Sequence, residues 1–297
     1  MQANAEPLAP SQSLITRIAA AWLLGGVSLA FAGWFGGELV EAYGIGSRLR
    51  YGIQAAVMSG LVVPGVWLLR RRLDRRPFAG LEMLGLARSL KGFALGSGLI
   101  LLPAAITLLC TMLFGWATLS INPAPGAAAA IAIGILTAFF FEALPEELLF
   151  RGYIFRNLNT TLRKWTAGLV TTLLFTLLPV FVVLVQRHLM KTPIQVGPSD
   201  HITTGYLLTM FFFATFLQYL RVLTGTVWAG IGFHLFFLMS NRLVGTRESS
   251  FIQMSDLTTQ GPMQMVLLGS IALVFGGLLL YPRLSGRSLE WGKVNPE

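Results

Sequence analysis

Charge is scarce in this sequence of 297 residues: 12% are Asp, Glu, Lys or Arg, against roughly a quarter in soluble domains. Three histidines and one cysteine complete a thin inventory of reactive groups. The lone Cys110 lies inside an apolar run, which excludes an internal disulfide framework and a thiolate metal site and leaves it a small packing residue. Long polar connectors are missing as well. The longest, around 70–91, 187–202 and 243–262, are too short to bury a core of their own. No internal repeat is visible, so a transporter built from two inverted halves gains no support. The first apolar segment lacks a small-residue cleavage site and reads as an uncleaved anchor.

What is abundant is apolar: 54% of residues are hydrophobic and the mean hydropathy is +0.68. These values describe an integral membrane protein, all-α, a polytopic bundle of transmembrane helices. Windows of about twenty apolar residues, enough to cross roughly 30 Å of hydrocarbon, fall at 17–36, 51–69, 92–115, 127–145, 166–186, 203–220, 223–242 and 263–281. The sixth and seventh nearly fuse around Arg221 to Gly225, so seven spans is the alternative to eight. Of the 22 Lys and Arg, sixteen fall in the N-terminal tail, the tail at the other end and alternate connectors; six fall in the remaining connectors. That bias predicts both termini, the Arg70 to Arg76 cluster and the Glu146 to Lys164 segment on the cytoplasmic side, and eight spans preserve the alternation where seven do not. The net charge of +9 is thereby a matter of orientation, and no nucleic-acid partner is read from it. The cluster at Arg70 to Arg76 is a topology signal, with anionic-lipid binding as a second reading. The expected organisation is a polar tail over 1–16, N-terminal transmembrane helices over 17–126, a core over 127–243, a connector and last helix over 244–282, and a second tail over 283–297.

Against this background Glu142, Glu146, Glu147 and Arg151 stand out in the run Phe141-Glu142-Ala143-Leu144-Pro145-Glu146-Glu147-Leu148-Leu149-Phe150-Arg151-Gly152. Ionisable groups in or beside spans are costly and mark functional sites by default. At helical spacing Glu147 and Arg151 share a face and can pair, while Glu142 and Glu146 stack one turn apart. One carboxylate then gains a partner and another need not. An unpaired carboxylate shielded from water suits general acid–base work, and Glu146 is the candidate. Pro145 predicts a kink or a fresh helix start there, favourable to nearby negative charge. A glutamate pair at a span boundary often only terminates the span, and a histidine in an apolar helix often only bonds a carbonyl. His234, however, is flanked by Ala229, Gly230 and Gly232, whose small size lets another helix approach, so a buried carboxylate–imidazole site is the functional reading.

These residues carry a resemblance. Glu146-Glu147-x-x-x-Arg151-Gly152, the later Leu173-Leu174-Phe175, and Thr226-Val227-Trp228-Ala229-Gly230-Ile231-Gly232-Phe233-His234 resemble motifs of the CPBP (CAAX-protease, ABI) family of intramembrane proteases. The resemblance covers roughly 127–243. It implies a multi-pass protein of the plasma (inner) membrane in which Glu146 activates a water for attack on a peptide bond. Glu147 and Arg151 would support Glu146, and His234 would polarise the carbonyl or hold the water. Two positions depart from the family pattern. Pro179 stands where a first histidine is expected, and Leu238 where an asparagine is expected; neither donates a side-chain hydrogen bond. His188, about 13 Å further along a helix than Pro179, is a poor replacement, Asn241 serves only if the helix distorts, and His201 reads as solvated. No cofactor is expected, and a metal finds too few ligands, since a hydrolytic zinc usually takes three.

Three functions remain open on the sequence. The first is an intramembrane endopeptidase acting on a membrane protein or peptide within the lipid bilayer. The second is a catalytically inactive pseudoprotease that binds a membrane or lipidated partner. The third is a transporter or channel, which the lack of repeats and the clustering of charge disfavour.

Overall fold

Within lipid, backbone polar groups must bond one another, which leaves helices as the economical way for a single apolar run to cross. In the computed structural model, residues 13–83, 85–121, 126–192, 202–245, 251–256, 262–286 and 288–296 are described, and eight helices occupy the eight apolar windows. They are α1 (Leu14–Tyr43), α2 (Ser47–Arg72), α3 (Leu86–Leu113), α4 (Ala127–Leu158), α5 (Lys164–Met190), α6 (Thr204–Thr224), α7 (Val227–Leu243) and α8 (Pro262–Ser285). Six helical segments among the described residues are long and apolar enough to cross a membrane. Helix α7, at 17 residues, is slightly shorter, and α8 contributes the apolar stretch Leu273–Leu284. The fold is therefore the helical membrane bundle expected.

Helix ends follow local chemistry. The Ser13 hydroxyl accepts from Thr16 N–H at 3.2 Å to open α1, and Thr203 does the same for Tyr206 at 3.1 Å to open α6. Gly225 takes φ +71°, a left-handed conformation suited to glycine, and its N–H closes α6 on the Arg221 carbonyl at 3.0 Å. That break separates α6 from α7 and decides between seven helices and eight.

Two expectations are corrected at α4. The helix of the fourth window does not end at residue 145, and of the Glu146 to Lys164 segment the part up to Leu158 is helix, which leaves only 159–163 as the connector. A helix of 32 residues runs unbroken from Ala127 to Leu158, about 48 Å at 1.5 Å per residue. Residues 148–150 and 152–155 are apolar or small, and Arg151 finds a partner one turn back, so nothing unwinds the chain there. Nor does the helix restart at Pro145. Ala143 and Leu144 keep right-handed helical dihedrals, at φ −63°, ψ −49° and φ −70°, ψ −55°. Wide π-helical turns over Phe139–Ala143 and Leu148–Ile154 flank the proline and absorb the missing hydrogen bond that would otherwise kink it. Donors from other helices reach carbonyls inside both wide stretches: the Ser59 hydroxyl bonds Phe140, and Arg221 Nε bonds Arg151 at 3.0 Å.

Helix α4 changes character along its length. Its first half carries exposed apolar residues such as Ile133 and Leu136, whereas Leu148, Leu149, Phe150, Arg151, Tyr153 and Ile154 are fully buried. Around it pack α1, α2, α5 and α7, with α6 against α5 and α7, and α3 between α7 and α8. The α3–α7 contact is close enough that a side chain at Gly96 would strike the Ala229 carbonyl and one at Gly232 the Phe93 carbonyl, as small residues permit in membrane helix pairs.

One element was not expected. Strands β1 (Ala117–Ile121), β2 (Val244–Gly245) and β3 (Ile252–Asp256) form a small sheet in the order β1-β3-β2, with β1 antiparallel to β3 from Ala117↔Asp256 to Ile121↔Ile252 and β2 parallel to β3. It ties the ends of α3, α7 and α8 together. At the opposite end the start of α1 and the tail after α8 both reach the end of α4 and the turn that follows it. Arg17 at the start of α1 bonds Asn157 Oδ1 at 3.0 Å, and Asp74, just past α2, accepts from Arg70 (3.1 Å), Tyr153 (2.9 Å) and Asn157 (3.1 Å). Lys164 N–H and Trp165 N–H donate to the carbonyls of Lys293 and Trp291. Tail residues 1–12 and His201 lie outside the described residues.

Candidate active site

The middle of α4 places Glu147 and Arg151 one turn apart facing α6 and α7, and both side chains are completely buried. Arg151 Nη1 donates to Glu147 Oε1 at 2.9 Å, the pairing expected from the spacing. Its Nη2 donates to the Ala214 carbonyl of α6 at 3.1 Å, and its guanidinium lies over the Phe175 ring of α5 at 4.5 Å. The same Glu147 oxygen meets His234 Nδ1 of α7 at 3.2 Å. Glu147 Oε2 is buried and takes no hydrogen bond from the described residues. It points at Gly230, where an added Cβ would sit 2.5 Å away. Glycine is required at 230 because the carboxylate occupies the space a side chain would fill.

The His234 ring is held from other directions too. Phe213 meets it edge to face at 4.9 Å, and Phe213 also packs on Phe237 and Phe175. The imidazole is thus fixed by one carboxylate and an aromatic wall, with Nδ1 committed to Glu147. The reading of a buried imidazole that bonds only a backbone carbonyl does not hold. The geometry further pairs His234 directly with Glu147, the second glutamate of the motif, rather than the first.

Glu146 differs from its neighbour. It is half-buried and no described residue hydrogen-bonds it, yet it stands within electrostatic reach of His234, Glu142, Glu147 and Arg151. Glu142 is engaged elsewhere, with Arg242 Nη2 at 2.8 Å. Tyr206 at the start of α6 lies within electrostatic reach of Glu146 and Glu142, a phenol that no spacing rule in the sequence singled out. Arg221 was counted only as a topology charge, yet it anchors the site: its Nε bonds the Arg151 carbonyl and its Nη1 bonds Glu82 Oε2 at 2.7 Å.

Other polar residues weighed from the sequence do not join this cluster. His188 and Asn241 are exposed. Pro179 is half-buried inside α5, and Leu238 packs with the apolar group around Ala138, Ala143 and Ile231. Among the described residues no three His, Cys, Asp or Glu side chains gather to hold a metal ion. A cavity of about 520 Å³ opens toward the sheet end between α2, α4 and α7, lined by Arg48, Tyr51, Ile131, Thr137, Met239 and Arg242, and neither Glu146 nor His234 borders it.

Residues 127–239 match the family model described as Type II CAAX prenyl endopeptidase Rce1-like. This segment holds Glu146, Glu147, Arg151 and His234, and also Pro179 and Leu238, and its match bears out the CPBP-family resemblance read from the motifs. No curated protein and no solved structure matches the chain.

Proposed function

We propose that this multi-pass protein, placed in the plasma (inner) membrane, is an intramembrane endopeptidase acting through a glutamate-activated water on a membrane protein or peptide. The observation that carries the reading is the division of labour between adjacent carboxylates. Glu147 is engaged through Oε1 with both Arg151 and His234, and Glu146 beside it takes no hydrogen bond from any described residue. Glu146 accepts a proton from water, and the resulting hydroxide adds to the scissile carbonyl. The same proton then passes from Glu146 to the departing amine as the tetrahedral intermediate collapses. With Nδ1 held on Glu147, the opposite ring nitrogen of His234 is the atom left to steady the developing oxyanion. Arg151 keeps Glu147 in place and does not itself touch the substrate. The lipid-shielded interior excludes bulk water from competing contacts and strengthens these interactions. The reading concerns a peptide presented from the cytoplasmic side or laterally from lipid, and it does not depend on a prenyl group.

A second reading has a specific observation behind it. Pro179 and Leu238 remove two hydrogen-bonding side chains that the family pattern leads one to expect, which favours a binding protein of the same fold that captures a peptide without cutting it. One experiment separates the two. Wild-type, Glu146→Gln and His234→Ala proteins are reconstituted in liposomes with a panel of transmembrane peptides, and products are read by mass spectrometry. The endopeptidase reading expects wild-type cleavage and a loss of at least about 100-fold in each variant, the scale of a removed base or oxyanion donor. Cleavage by Glu146→Gln at the wild-type rate would overturn the role given to that carboxylate. Capture of peptide by wild type with no product would establish the binding reading.

A further inference from the structure

The last two turns of α2 carry a stripe of side chains that the peptidase site does not use. Trp67 and Leu68 are 43% and 48% exposed on the outside of the bundle, where an apolar side chain of a membrane helix meets acyl chains. Arg71 and Arg72 follow them at a spacing of four, so each of these apolar residues has an exposed arginine on its own face, about 6 Å further along the axis. The Arg71 guanidinium lies over the Trp67 ring at 5.2 Å. Arg75, exposed as well, extends the series past the helix end. It takes φ +54° in a turn that the Arg76 N–H closes on the Arg70 carbonyl at 3.1 Å.

The acid of this corner is kept away from these arginines. Asp74 is the only carboxylate in the run Arg70 to Arg76, and it is buried. Its Oδ2 accepts from Arg70 and Asn157, and its Oδ1 accepts from Tyr153, with Arg17 at 3.7 Å. No described carboxylate pairs with Arg71, Arg72 or Arg75. Orientation in the bilayer does not call for this arrangement, since the orienting bias counts Lys and Arg with little regard to acids nearby. Guanidinium groups that begin where an exposed tryptophan ring ends match the profile of a phospholipid, acyl chains first and phosphate one helical turn further on. The planar fork of arginine also fits phosphate oxygens with two parallel hydrogen bonds.

We propose that the end of α2 binds the headgroup of an anionic phospholipid in the adjoining leaflet. Arg71, Arg72 and Arg75 donate to the headgroup phosphate, and Trp67 and Leu68 lie along the acyl chains. Each cation near an anionic surface contributes a factor of about five in affinity, on the order of 100-fold for three, and salt screens the effect. The site is independent of the peptidase chemistry.

The test uses the purified full-length protein in a neutral detergent and reads its melting temperature. Short-chain phosphatidylglycerol is titrated at constant ionic strength, with short-chain phosphatidylcholine and inorganic phosphate as separate comparisons. The expected result is a saturable rise in melting temperature with phosphatidylglycerol, absent with either comparison and weakened by added chloride. Arg71→Gln/Arg72→Gln/Arg75→Gln should raise the half-saturating concentration at least about tenfold. Arg48→Gln/Arg187→Gln/Lys191→Gln removes the same charge from exposed positions at the other end of the bundle and should change it by less than about twofold. Should the first variant fail to fold, Arg72→Glu alone reverses one exposed charge and should raise the half-saturating concentration by about tenfold. The proposal is overturned if phosphatidylglycerol does not shift the wild type, if phosphatidylcholine or inorganic phosphate shifts it equally, or if the α2 variants titrate as the wild type or as the variant at the other end does.

Discussion

Replacing Gly230 by alanine adds one methyl group, and the structure allows its effect to be worked out. The new Cβ would lie 2.5 Å from Glu147 Oε2, 3.3 Å from Cδ and 3.6 Å from Cγ. Ordinary contacts begin near 3.5 Å, so the carboxylate must retreat by about 1 Å. A carboxylate at the end of a flexible chain usually escapes cheaply, but this one is fully buried and bonded at 2.9 Å to Arg151 and 3.2 Å to His234. A retreat of that size breaks at least one of those bonds. Overpacking costs about 1–3 kcal/mol and a lost charged hydrogen bond about 1.5–3 kcal/mol. The alanine regains about 1 kcal/mol of helix propensity, for a net loss of about 1.5–5 kcal/mol. Gly98→Ala on α3 is the matched control, because nothing lies within 4 Å of a Cβ there; it should stabilise by about 0.5–1 kcal/mol. Both are measured by reversible unfolding in mixed detergent micelles. In a Glu147→Ala background the Gly230→Ala cost should vanish, since the atom it strikes is gone. If Gly230→Ala unfolds alongside Gly98→Ala, the carboxylate does not occupy the place assigned to it.

Asp74→Asn removes the charge that faces Arg70 and Arg17 in a buried network, and should cost about 3–5 kcal/mol in the same unfolding assay; a loss below about 1 kcal/mol would mean that the network contributes little to holding α1, α2 and α4 together. Arg221→Lys keeps a charge opposite Glu82 but loses the Nε donor to the Arg151 carbonyl. It should lose about 1.5–3 kcal/mol and speed amide exchange over 148–154, and unchanged exchange there would detach Arg221 from the wide helical turn. A joint replacement, Glu147→Leu/Arg151→Met/His234→Phe, should unfold within about 2 kcal/mol of wild type, although single removal of Glu147 or Arg151 costs about 3–5 kcal/mol; equal losses from the triple and single replacements would contradict the view that the cluster is structurally dispensable as a set.

Periodicity and charge alternation made the helices legible, because eight apolar windows, with most Lys and Arg in alternate connectors, leave little freedom for the chain in lipid. The Glu147–Arg151 pair was legible for the same reason, four residues being one turn. What escaped were features set by packing. The continuation of α4 past Pro145 depends on wide turns whose carbonyls are met by Ser59 and Arg221 from other helices, and no local pattern announces a donor eighty residues away. The β1–β3 pairing joins segments 131 or more positions apart, so it too lacked a local signal. Which glutamate meets His234 was hidden in the sequence, because helical spacing gives faces but does not say which face a neighbouring helix takes. Once Gly230 is seen against Glu147 Oε2, the glycine beside the histidine acquires a definite meaning.

The cluster bears on function because it is an expensive way to build a helical bundle. A buried ion pair is seldom worth more than apolar side chains of the same volume, and its removal by halves is severe. Here the pair is joined by an imidazole, and one carboxylate oxygen is left without a hydrogen bond from any described residue. In a chain with 12% charged residues, helices α4, α5, α6 and α7 all contribute to this one place. A purely structural bundle would gain by replacing these groups with leucine and phenylalanine. The proposed peptidase would need them, since an imidazole oriented by one glutamate, beside a second glutamate that no described residue hydrogen-bonds, would supply both an oxyanion partner and a proton acceptor. Pro179 and Leu238 remove support from that arrangement without removing either group, so the chemistry proposed for this protein rests on Glu146 and His234 together.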